Sequence, residues 1–156
     1  MRRKDREITD FNEMIEIIKR CDVCRIALHD DGFPYIVPLN FGLEVQGEKV
    51  FFYFHCAGKG KKLDLIARDN HATFELDCGH KLVLDEEQMD CTMDYASVIG
   101  HGTIETVKEE EKYEALKILM RQYHAEDFPF HTDMIAVTTV LKMTVKDMTG
   151  KRRKPL

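Results

Sequence analysis

The chain has 156 residues, of which 44% are hydrophobic and 33% charged, enough for one ordinary globular domain with a sizeable core. A net charge of −5 argues against general nucleic-acid binding, and no apolar run approaches the roughly 18 residues that span a bilayer. Five scattered cysteines, and no apolar segment behind the basic N-terminus, predict a cytoplasmic protein without a disulfide framework or secretory leader.

The basic ends, Met1-Arg2-Arg3-Lys4 and Lys151-Arg152-Arg153-Lys154, are short and read as solvated termini. Asp10 is a helix N-cap, with Glu13 three residues on completing a capping box. Phe11, Met14, Ile15 and Ile18 then recur at helical spacing up to about Arg20. Residues 23–29 predict a strand that turns at Asp30-Asp31-Gly32. Residues 35–43 predict the next, with Tyr35, Val37, Leu39, Phe41 and Leu43 on one face. Pro38 cannot donate a ladder hydrogen bond, so that strand belongs at an edge or a bulge. Gln46-Gly47-Glu48 turns into a third strand over 49–55, and a helix follows over about 60–68. Residues 71–77 alternate as a strand, Cys78-Gly79-His80 reads as a turn, and residues 81–84 continue beyond it. After a polar loop at 85–88, a long strand is predicted over 95–107, with Gly100 and Gly102 marking a bend or exposed backbone. Glu109-Glu110-Glu111 suits a helix start, and Tyr113, Leu116, Met120 and Tyr123 predict its buried stripe. A loop over 125–133 leads to a closing strand over 134–145. Six or seven strands joined mostly by short turns favour antiparallel pairing, and closure into a barrel removes exposed edges. No repeat or linker divides the chain, so residues 1–156 read as a single domain.

The stretch Phe52-Tyr53-Phe54-His55-Cys56-Ala57-Gly58-Lys59-Gly60-Lys61-Lys62-Leu63-Asp64 is where chemistry concentrates. It reads as strand, glycine-containing turn and helix start. Cations at a helix N-terminus oppose its partial positive charge, which makes sense if an anion also sits there. Free amides, close backbone approach at glycine and lysine charge together describe a phosphate site. The other reading is a solvated helix face, and the local pattern leaves both open. Cys21-Asp22-Val23-Cys24 is a lone CxxC spanning a helix end and a strand start, which favours packed thiols over metal or redox work. Seven histidines form no HxH or HxxxH pair, so no metal site is expected. His55 ends the central strand beside the anion loop, where it either contacts a ligand or bonds to backbone. Asn40 sits at the proline-broken edge, either facing a heterocycle or satisfying local backbone.

Several blocks in order resemble the FMN-binding split-barrel proteins related to pyridoxamine 5'-phosphate oxidase, and most of all the 5-nitroimidazole resistance (Nim) branch. They are Met1 to Ile8, Cys24-Arg25-Ile26-Ala27-Leu28, Pro34-Tyr35-Ile36-Val37-Pro38-Leu39-Asn40-Phe41-Gly42, Tyr53-Phe54-His55-Cys56-Ala57 with Gly60-Lys61-Lys62-Leu63-Asp64, and Ser97-Val98-Ile99-Gly100-His101-Gly102. The resemblance implies a mainly β, six-stranded antiparallel FMN-binding split barrel with flanking helices. It implies a homodimer with FMN in each interface cleft and a small flat acceptor as substrate, hence a flavin- or nitro-reductase; the alternatives are a flavin-binding module without turnover, or a haem- or deazaflavin-binding relative of the same fold. Lys61 and Lys62 would hold the phosphate, with His55, Cys56 and Ala57 alongside. Residues Val37, Pro38, Leu39, Asn40 and Phe41 would border the isoalloxazine, and Ser97 and Val98 would come from the partner subunit. His55 and His101 are the candidate catalytic residues for proton delivery. Two residues depart from the family's usual pattern: Cys56 stands where serine is frequent, and His101 where an aromatic is.

Overall fold

The computed structural model describes residues 3–153; Met1, Arg2 and Lys154 of the basic ends lie outside them. These residues form β1 (Glu7–Ile8), α1 (Phe11–Lys19), β2 (Cys24–Leu28), β3 (Tyr35–Leu39), β4 (Gly42–Gln46), β5 (Lys49–Ala57), α2 (Lys61–Arg68), β6 (His71–Asp85), β7 (Asp90–Thr106), α3 (Lys112–Gln122), α4 (Thr132–Val137) and β8 (Thr138–Arg152). One antiparallel sheet runs β3-β2-β6-β7-β8-β5-β4, with β1 added on β8. The mainly β, antiparallel architecture with flanking helices is as expected, with eight strands rather than six. Its two edges, β3 and β4, do not pair among the described residues, yet only Asn40 and Phe41 separate them along the chain. The sheet therefore curls until its edges meet at that corner, a barrel left open along one seam. Pro38 sits on edge strand β3, where its missing N–H costs no ladder bond.

The N-cap of α1 is as predicted, with Asp10 accepting from the Glu13 amide at 2.8 Å. The Glu13 carboxylate turns instead to Arg152, 2.6 Å away. Five expectations need correction. The single strand expected over 35–43 breaks at Asn40 and Phe41 into β3 and β4, which lie at opposite edges of the sheet. Cys78-Gly79-His80 is not a turn but a bulge inside β6, with Gly79 at φ +71°. Strand β7 begins at Asp90, five residues before the predicted start, because an exposed ribbon carries no burial alternation to read. Residues 134–137 belong to α4, where Ile135 packs on a second core, and the closing strand runs on to Arg152. Helix α3 buries Lys112, Ala115, Leu116 and Leu119, while Tyr113 rotates outward to meet Phe130 edge-on at 6.1 Å.

Strand β5 is buried on both faces. Phe52 and Phe54 enter the main core inside the sheet, with Phe41 and Phe74 edge-on to Phe52 at 5.6 and 5.0 Å. Phe51 and Tyr53 enter the second core beneath α3. Gly100 faces inward opposite Phe74, where a Cβ would lie 2.5 Å from the ring and 2.3 Å from the Asp147 carbonyl. A bulge follows between His101 and Gly102, the bend expected of that glycine pair.

Candidate functional site

At the end of β5 the chain leaves the sheet and enters α2 through Gly60, whose φ of +140° favours glycine. No side chain caps this helix among the described residues. The amides of Leu63 and Asp64 close onto the Gly60 carbonyl at 2.9 and 3.2 Å, which leaves those of Lys61 and Lys62 at the helix mouth. A recess of about 260 Å³ opens there, lined by Tyr35, Cys56, Ala57, Lys59, Gly60, Lys61, Lys62 and Leu63. Four of the sequence-derived residues, Cys56, Ala57, Lys61 and Lys62, therefore meet in one place. The Lys61 ammonium lies 5.2 Å from the Tyr35 ring centroid and 2.6 Å from the Asp30 carboxylate. Its hydrogen bond holds the Asp30 carboxyl below the ordinary value of 3.8. Tyr35 and Asp30 were legible only as a strand residue and a turn residue. Two acids facing a lysine run across a hairpin is the signal that points to this pairing.

Alternation along β5 sends His55 to the opposite face from Cys56. His55 lines a separate apolar pocket of about 160 Å³ with Leu116, Leu119, Met120, Phe130, Met134, Ile135 and Thr138. His101 stands on the outer face of β7 with its Nδ1 3.1 Å from the Thr73 hydroxyl. It borders a third cavity of about 600 Å³, shared with His29, His71, Asp69 and Asp147. The two histidines and the lysine recess thus occupy three separate places on this chain.

Along β3, Val37 and Leu39 are half-buried against the main core and Pro38 is exposed. At the corner beyond, the Tyr123 hydroxyl accepts from the Asn40 side-chain amide (3.2 Å) and the Phe41 amide (3.1 Å) and donates to the Asp22 carbonyl (2.8 Å). Asn40 therefore serves local structure, and the Phe41 ring is wholly buried. Ser97 faces outward, but Val98 points into the main core with no exposed surface. A partner's ligand can reach Val98 only through its backbone. Cys21 and Cys24 are packed thiols: burial pushes both well up, and Cys21 donates to the Ile17 carbonyl at 3.2 Å. Among the described residues no group of three or more His, Cys, Asp or Glu side chains is arranged to hold a metal, and no helix is long and apolar enough to cross a membrane.

A family model described as pyridoxamine 5'-phosphate oxidase matches residues 10–152. Among solved structures, a candidate 5-nitroimidazole antibiotic resistance protein from Bacteroides thetaiotaomicron is 32% identical, covers 94% of this chain and 86% of its own, and superposes with a TM-score of 0.82. The flavocytochrome Anf3 from Azotobacter vinelandii is 19% identical over 99% of this chain and 72% of its own, with a TM-score of 0.79. An FAD and heme binding protein from Mycobacterium smegmatis is 18% identical over 96% and 74%, with a TM-score of 0.78. At such identities the last two show a shared fold alone. No curated protein sequence matches the chain.

Proposed function

Because the chain belongs to the pyridoxamine 5'-phosphate oxidase family, whose members bind flavins, we propose that it is a cytoplasmic FMN-dependent oxidoreductase acting as a homodimer. The lysine recess at the mouth of α2 carries this reading. A terminal phosphate is a compact dianion, and the recess offers two ammonium groups, two uncommitted amides and a glycine that lets a ligand approach the backbone. Lys61 and Lys62 would hold the phosphate, while Tyr35, Cys56 and Ala57 would wall it. The polar backbone of Val37 to Leu39 would border the ring system, and Ser97 of a second copy would close the cleft.

The flavin supplies hydride or electron transfer; the chain's own residues bind, orient and place protons. Thr73 fixes the His101 ring through Nδ1, which leaves Nε2 to exchange a proton with a bound acceptor. The similarity to the 32% identical candidate 5-nitroimidazole resistance protein supports a small nitro-aromatic acceptor.

The test is the visible spectrum of the purified protein, with chromatography of whatever flavin is released on denaturation. FMN is expected, and Lys61→Ala/Lys62→Ala should weaken its binding by about 1.5–3 kcal/mol, the scale of charged hydrogen bonds. Release of FAD or heme, or unchanged FMN affinity in that variant, would sink the assignment. A flavin-loaded protein that turns over with neither NADH nor NADPH would be a binding module instead.

A further inference from the structure

Two cysteines distant in the chain meet behind the end of α1. Cys21 lies in the loop that follows α1, and Cys78 lies on β6 where its bulge begins. Both sulfurs turn to one acceptor: the Ile17 carbonyl takes the Cys21 thiol at 3.2 Å and the Cys78 thiol at 3.9 Å. The two thiols also hydrogen-bond to each other. Cys24, which completes the CxxC of the sequence, starts β2 opposite Leu39 and has no exposed surface. Burial and the Glu75 charge, not another thiol, push it up. The sulfur beside Cys21 thus belongs to another strand, not to its neighbour in the motif.

The two sulfurs differ in openness. Cys21 is 2% exposed in the main core, while Cys78 is half-buried at its rim. A cleft of about 620 Å³, lined in part by Arg20, Gly79 and Lys81, opens at the residue after Cys78 and gives small solutes an approach from that side. The ladder register shifts between Cys78 and Lys81, and Gly79 sits at φ +71°. A bulged strand is locally free of its ladder, which allows the small adjustment that the fixed geometry of a disulfide asks for.

We propose that Cys21 and Cys78 are a reversible dithiol–disulfide pair, a modification site for hydrogen peroxide that staples the end of α1 to β6. Cys78 attacks one peroxide oxygen, the O–O bond breaks, and Cys78 becomes a sulfenic acid as one water leaves. The Cys21 sulfur then attacks the Cys78 sulfur. The S–S bond forms, the S–O bond breaks, and the departing hydroxide takes the Cys21 proton as a second water. Two thiols lose two electrons, and one peroxide becomes two waters. Burial pushes the Cys21 thiol up, which keeps it protonated and makes it the resolving sulfur, not the attacking one. The pair uses no residue of the lysine recess, so it stands or falls apart from the flavin reading.

The test treats the folded full chain with hydrogen peroxide, quenches it in acid, alkylates the remaining thiols in denaturant and maps the unreduced peptides by mass spectrometry. One cross-link is expected, Cys21 to Cys78, cleaved by dithiothreitol, with Cys24 recovered alkylated. Cys78→Ser should abolish the cross-link and leave Cys21 alkylated, while Cys91→Ser, at an exposed position, should keep it. The bonded form should melt about 4 °C or more above the reduced one. A Cys21–Cys24 bond, both thiols recovered free, or Cys78 carried on to sulfinic acid without joining Cys21 would overturn the pair. A cross-link that leaves the melting temperature unchanged or lowers it would overturn the staple.

Discussion

Lys61 stands between two anions. Asp30 holds it at 2.6 Å in the structure described here, and the proposed phosphate draws on the same ammonium group. An ammonium has three donors, so both contacts are compatible, but the carboxylate neutralises part of the charge the phosphate would feel. Asp30→Asn should therefore tighten FMN binding several-fold at neutral pH in a fluorescence titration. Because its folded pKa is depressed, chiefly by the hydrogen bond from Lys61, the stabilisation from Asp30 is present above the ordinary 3.8 and fades as pH falls through the lowered value. The variant should lose that acid-side component of the unfolding curve. Equal FMN affinity in the two proteins would mean that Asp30 does not compete. Cys56, beside this pair, gives the recess a thiol where a hydroxyl is frequent in the family, a weaker hydrogen-bond partner.

At the scale of elements, the end of α3 is what fixes the β3–β4 corner. Gln122 reaches the carbonyls of Ile18, Lys19 and Cys21 at 3.1–3.4 Å, and Tyr123 bonds Asn40, Phe41 and Asp22. Tyr123→Phe leaves the ring but strips three hydrogen bonds, and should cost about 1–3 kcal/mol of stability in thermal unfolding. A melting temperature equal to the wild type would show that water replaces the hydroxyl without loss. This corner also shows where reading the sequence stops. The cap at Asp10, the turns at Gly32 and Gly47, the alternation of β5 and the helix start at Gly60 are local, and each is legible from residue type and spacing. The grip of Tyr123 on Asn40 joins residues 83 positions apart, and no periodicity reports it. The same holds for the recess: its lysines are legible from charge at a helix start, but the face-switch that removes His55 from Cys56 follows only once the strand is known to run unbroken through both.

Across the whole molecule, neighbouring positions on β7 separate core from surface. Val98 is wholly buried and Ile99 is 46% exposed on the outer face. Val98→Asp places an unpaired charge in the core and should fail to fold, or lose more than about 4 kcal/mol. Ile99→Asp should keep the fold and cost little stability, read by circular dichroism and thermal unfolding. Two variants with the same phenotype would count against this division.

The sheet order has a consequence for how the chain is made. Strand β8 lies between β7 and β5, and without it the sheet falls into the four strands β3, β2, β6 and β7 and the hairpin of β4 and β5, with β1 left unpaired. The strand that unites them is the last of the eight to leave the ribosome. During synthesis β5 and β7 wait as open edges, one of them lined with Phe51, Phe52, Tyr53 and Phe54. Completion of the sheet thus waits on β8, its rate is set by long-range strand pairing, and chains that lack β8 are the form most exposed to misassembly.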